Sequence, residues 1–127
     1  MLIDRLPGSY PGRCLASAYE DLVFSVATSP NTQAGIADQA RLALESLETN
    51  LMRLGAGKDT LLSVSVMLRT MADKAVFDEV WNQWIGDDPQ CWPQRSCIGV
   101  ELGGSLLVEI TAVALRQCDS SRSALQI

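Results

Sequence analysis

From Gln33 to Leu54 the apolar residues of this chain recur at helical spacing, while before and after that span they alternate or run together in short stretches. Ile36, Ala40, Ala43, Leu44, Leu47, Leu51 and Leu54 form one stripe, and Asp38, Arg41, Glu45 and Glu48 take the opposite face. Gly55 and Gly57 provide the stop, because glycine takes left-handed backbone at no steric cost. A helix with one apolar stripe must bury it against a second layer, and the flanking sequence supplies strands for that layer. Leu22–Ala27 is a β-favouring run closed by the turn residues Ser29-Pro30-Asn31. With Cys14-Leu15-Ala16 before it and Glu20-Asp21 between, it predicts an opening hairpin. Leu62, Val64, Val66 and Leu68 alternate with Ser63, Ser65 and Met67, a period-2 strand. Asp73 can cap a second helix with the inner stripe Phe77, Val80, Trp81 and Trp84, and Gly86 stops it. After the loop Asp87-Asp88-Pro89, the runs Pro93–Val100 and Leu106–Ala114 read as strands joined across Gly103-Gly104. The expected order is β-β-α-β-α-β-β, an α+β fold with two helices covering one face of a mostly antiparallel sheet.

A length of 127 residues suits one domain, which buries roughly two thirds of the surface its unfolded chain exposes. We expect that domain over residues 1–116 and a polar tail over residues 117–127. Formal charge is −5, and the 10 Lys and Arg residues are scattered, so there is no basic footprint for nucleic acid. No stretch approaches the roughly 18 apolar residues of a membrane span, and the N-terminus lacks a signal-like pattern, so a cytoplasmic protein without membrane contact is expected. Cys14, Cys91, Cys97 and Cys118 are widely spaced with no C-x-x-C, and read as reduced thiols. Histidine is absent, which excludes Ser-His-Asp and Cys-His nucleophile activation and the usual histidine-containing metal sites. No cofactor and no metal are expected.

Three polar side chains stand inside the last two apolar runs: Arg95 and Cys97 in the first, Glu109 in the second. Burying a charge costs several kcal/mol unless it is paired or has a ligand, so these residues are the first candidates for function. Arg95 and Cys97 are two apart and share a strand face. If the last two strands form a hairpin, a two-residue turn puts Glu109 on the other face and a three-residue loop puts it on the same face. Arginine suits a carboxylate-bearing substrate because its planar fork makes two parallel charge-assisted hydrogen bonds. A glutamate can hold and activate water. Together they suggest addition of water to a small carboxylate. The competing reading is a structural ion pair between Arg95 and Glu109, within or between subunits.

The segments Pro93-x-Arg95-Ser96-Cys97-x-x-Val100 and Val108-Glu109-Ile110-x-Ala112-Val113-Ala114 resemble the signature of the YjgF/Rid family of reactive-intermediate deaminases. So do Asp38-Gln39-Ala40-Arg41-x-Ala43-Leu44, Leu54-Gly55-Ala56, and Val64–Leu68 through Met71-Ala72-Asp73. The resemblance implies a fold like that of the bacterial chorismate mutase, assembled as a homotrimer with ligand clefts between subunits. It implies hydrolysis of 2-imino or enamine acids to 2-oxo acids and ammonia, without metal. In that frame Arg95 holds the substrate carboxylate, Glu109 positions the water and moves protons, and Cys97 lines the site. Ala27 and Thr28 form the opposite wall. Here Val26-Ala27-Thr28 stands where the RidA branch has Ser-Gly-Gln, and Gly12-Arg13 where it has a tyrosine, with Tyr10 nearby. Thr111 replaces a second acidic residue, and Asp78 an asparagine of the second helix. A non-catalytic trimer that binds a small carboxylic acid or a partner protein is the alternative.

Trp81 and Trp84 lie on a helix stripe and read as core, as does Trp92. Gly103-Gly104 is a turn without the spacing of a nucleotide-binding loop. Asp38, Arg41 and Glu45 read as a solvated helix face.

Overall fold

The computed structural model describes residues 2–117. The expected polar tail, apart from Gln117, lies outside the described residues. Six strands form one sheet: β1 (Asp4–Pro7), β2 (Cys14–Tyr19), β3 (Leu22–Thr28), β4 (Leu61–Leu68), β5 (Gln94–Gly99) and β6 (Val108–Leu115). Two helices, α1 (Ile36–Arg53) and α2 (Lys74–Ile85), cover one face. The α+β layering is as the periodicity predicted.

Ala40, Ala43, Leu44, Leu47 and Leu51 of α1 are all within 1% of full burial, and pack with Val23, Ile110 and Ala114 of the sheet. The two alanines let helix and sheet approach closely, and the leucines fill the space between. Gly55, at φ 89°, ends α1, and Gly86, at φ 84°, ends α2, so both stops fall where the sequence put them. Asp73 stands at the start of α2 but makes no side-chain cap bond. The Thr70 hydroxyl instead accepts from the Ala72 amide in the turn Met71–Asp73 just before it. Phe77 and Trp81 are buried, whereas Trp92 is 53% exposed and donates its indole N–H to the Gly86 carbonyl at 2.9 Å, so it is not core.

The strand order is β1-β2-β3-β6-β4-β5. Every pair is antiparallel except β4 with β5, which run parallel because α2 crosses over between them. The last two strands are therefore not a hairpin: β6 enters the middle of the sheet between β3 and β4, and β5 is left at the edge. Val108, Ile110, Ala112 and Ala114 are all at most 5% exposed beneath the helices, the burial expected of a strand paired on both sides. β5 carries the polar Gln94 and Ser96 and stays largely exposed. β1, which the sequence reading omitted, adds the opposite edge, paired from Asp4↔Ala18 to Pro7↔Cys14. A bulge between Leu61 and Ser63 turns Leu61 inward and leaves Leu62 44% exposed, against the simple alternation.

The other sheet face is uncovered. Leu15, Tyr19, Leu22, Phe24, Val26, Ile98 and Leu115 stand on it, each between 37% and 54% exposed.

Candidate active site

Thr28 of β3 and Glu109 of β6 are cross-strand partners, and Glu109 also faces Met67 of β4, all on the uncovered face. Glu109 and Thr28 line a cleft of about 820 Å³. Its walls come from the β1–β2 turn with Tyr10 and Arg13, the segment after β3 with Ser29 and Pro30, and the β5–β6 loop with Gly103–Leu106. Ala27 lines it too, although its side chain is 5% exposed and belongs to the core. Glu109 has no hydrogen-bond or ion-pair partner among the described residues.

The β5–β6 loop is held from two sides. Arg69 Nε donates to the Leu106 carbonyl at 2.7 Å, and its Nη2 donates to the carbonyls of Leu102 and Gly104, each at 2.7 Å. From the helix side, buried Gln39 donates through Nε2 to the carbonyls of Ala34 and Ser105, and its Oε1 accepts from the Leu107 amide. Asn50, on the next turns of the same helix, donates to Ser25 Oγ at 3.2 Å and so ties α1 to β3 beside the cleft. Arg69 escaped the sequence reading, and Gln39 entered it only as part of the first-helix motif, with no role assigned. A glutamine among buried leucines on the inner face of a helix is the signal that could have singled out Gln39.

Arg95 and Cys97 lie across the sheet from Glu109. They pair in register with Val64 and Val66, whose side chains are buried under the helices, so Arg95 points toward α2. Its guanidinium sits 5.5 Å from the Phe77 ring centroid and 5.1 Å from that of Trp81. Nη2 donates to Asp78 Oδ1 at 2.6 Å, and Lys74 Nζ donates to the other oxygen at 2.7 Å. The Arg95 side chain is 17% exposed and that of Asp78 31%. Thus the sequence-derived residues divide into two groups within one chain: Glu109, Thr28 and Ala27 at the cleft, and Arg95 and Cys97 on the helix side. Glu109 does not pair with Arg95 in the chain. Asp78 does.

Burial pushes the Cys97 thiol upward, only partly offset by the charges of Arg95 and Lys74, so it stays protonated at neutral pH and is no nucleophile. For Asp78 burial acts upward as well, but the hydrogen bonds and charges of Lys74 and Arg95 outweigh it and hold the carboxyl below its ordinary 3.8. A depressed folded pKa stabilises the fold fully above that ordinary value, and the contribution is lost as pH falls through the lower folded value. Asp78→Asn removes this acid limb. If Arg95 takes a ligand's carboxylate, the variant frees it of its built-in competitor Asp78, and pyruvate affinity should rise about three- to tenfold, at about 1 kcal/mol of stability. Calorimetric titration and urea melts from pH 2 to 6 read both effects, and an unchanged pyruvate affinity would mean that Arg95 meets no carboxylate ligand.

A family model described as Endoribonuclease L-PSP matches residues 24–116. The chain belongs to that family, the YjgF/Rid proteins. A YjgF family member from Neisseria meningitidis superposes with a TM-score of 0.83 at 26% identity, covering 93% of this chain and 98% of that one. A crystal structure of Escherichia coli TdcF with bound serine gives 0.79 at 27% identity, covering 89% and 94%. In sequence, TdcF, named for reactive intermediate deaminase activity, is 31% identical over 84 residues, and the alignment spans 65% of each chain. A RutC family protein from Synechocystis is 28% identical over 114 residues, covering 85% of this chain and 86% of its own. The YjgF/Rid resemblance and the chorismate mutase-like α+β fold read from the sequence both hold. No helix among the described residues is long and apolar enough to cross a membrane.

Proposed function

We propose that this YjgF/Rid protein hydrolyses small 2-imino or enamine acids to 2-oxo acids and ammonia, as a homotrimer with clefts between subunits. The observation that carries this reading is Glu109 with no partner among the described residues, lining a cleft of about 820 Å³ beside the Thr28 hydroxyl. A carboxylate so placed can accept a proton from water as the water adds to C2 of the C=N bond, then return it to nitrogen. The resulting carbinolamine expels ammonia and leaves the C=O group, so the balance is imine plus water to 2-oxo acid plus ammonia. Family membership and the relative named for deaminase activity support the chemistry, and the serine bound to TdcF supports a small ligand with a carboxylate.

With the sheet between Arg95 and Glu109, one small substrate meets both only if Arg95 comes from a second copy. Self-association is supported by the uncovered face, which exposes large apolar side chains, Phe24 by 44% and Ile98 by 54%. The test generates an imine in situ with an amino-acid oxidase and follows 2-oxo acid release. Wild type should accelerate release over buffer, and Arg95→Ala should lower that rate about tenfold or more through KM. A wild type no faster than buffer rejects the reading.

One observation favours a second reading: the Arg95 fork already carries Asp78 at 2.6 Å, as a binding module without turnover could tolerate. Binding of a 2-oxo acid that depends on Arg95, with no imine hydrolysis, would select it.

A further inference from the structure

The cleft that holds Glu109 contains one cation that the family reading leaves unused. Among the described residues lining it, Arg13 is the only basic side chain and Glu109 the only acidic one. Gly12, at φ 85°, adopts the left-handed backbone that turns the chain between β1 and β2, and next to it Arg13 lies over the Tyr10 ring, 4.7 Å from Cζ to centroid. Arg13 has no carboxylate partner among the described residues. The contact with the ring is not a hydrogen bond to a carboxylate, so the guanidinium N–H groups can serve a bidentate acceptor, while the ring limits the rotamers that binding must order. In a chain of net charge −5 with Glu109 in the same cleft, an anionic group is repelled unless a local cation offsets that field.

We propose that Arg13 is a carboxylate-binding residue of this cleft and selects substrates with a second acidic group, the dicarboxylic 2-imino acids. The proposal rests on the deaminase reading for the reaction, but the binding preference is measurable without turnover. One carboxylate of such a molecule belongs to the carbon bearing the imine. The other, on the side chain, takes the Arg13 fork. An aliphatic 2-imino acid has no second carboxylate for that fork and leaves it to water.

The probes are 2-oxoglutarate and 4-methyl-2-oxopentanoate, titrated calorimetrically into wild type, Arg13→Gln and the control Arg53→Gln. Arg53 ends α1, is exposed and lies outside the cleft. Wild type and the control should prefer the dicarboxylate by about tenfold or more, the range of a charge-assisted bidentate contact, and Arg13→Gln should shrink that preference below about threefold. No preference in wild type, a preference that survives Arg13→Gln, or binding of neither acid overturns the proposal. Hydrolysis of glutamate-derived and leucine-derived imines is assayed in parallel. Absence of both activities rejects the deaminase reading, while the binding ratio alone decides Arg13.

Discussion

Glu109→Gln is expected to slow imine hydrolysis by about 10²–10⁴-fold, the usual weight of a positioned general base, and to act on kcat more than on KM. Glutamine keeps the shape of the side chain and can still hold a water, but it cannot take the proton that water loses on attacking C2. The fold should not notice: Glu109 is half-buried, lies on the uncovered face and has no partner among the described residues whose loss would strand a buried group. Its melting temperature should therefore stay within about 2 °C of wild type, as for substitutions away from buried networks. Steady-state rates on an oxidase-generated imine and a thermal melt check the two halves together. A variant that keeps more than about a third of the wild-type rate would remove Glu109 from the proton transfer.

Gln39→Leu should have the largest effect on stability of any polar substitution considered. Gln39 is fully buried, and through one amide it satisfies the carbonyls of Ala34 and Ser105, with a longer contact of 3.4 Å to that of Thr32, and the amide of Leu107 at 2.9 Å. Leucine fits the volume but leaves buried backbone groups unpaired, at about 1–3 kcal/mol each, partly relieved where water can enter. We expect a loss of about 3 kcal/mol in urea unfolding, a substantial share of the roughly 5–15 kcal/mol that holds a domain of this size. Because the same amide holds Ser105 and Leu107, the loop lining the Glu109 cleft should loosen as well, and amide exchange at Leu107 should quicken. A midpoint shift worth under about 0.5 kcal/mol would show that the loop finds other partners.

Much of the architecture is legible locally. The stripe from Ile36 to Leu51 gives α1, Gly55 and Gly86 mark where the helices end, and the two-residue spacing of Arg95 and Cys97 puts them on one face of β5. β1 was missed because Asp4–Pro7 is a short edge strand with one buried side chain, Leu6, too little for an alternating pattern to show. The bulge beside Leu62 was missed for a related reason: inserting one residue reverses the parity of all residues before it, and nothing in composition marks the place.

The site divides along the same line. Residue type and spacing in the sequence alone nominated Arg95, Cys97 and Glu109, and their strand periodicity showed which of them share a face, because side-chain direction along a strand is a local property. Which strands pair is not local. Only the tertiary structure put β6 between β3 and β4, set Glu109 against Thr28 and Met67, and carried Arg95 over the sheet edge to Asp78, Phe77 and Trp81. Those neighbours depend on a crossover helix and on burial of β6 beneath α1. Both are properties of the whole packed chain, and no window of its sequence contains them.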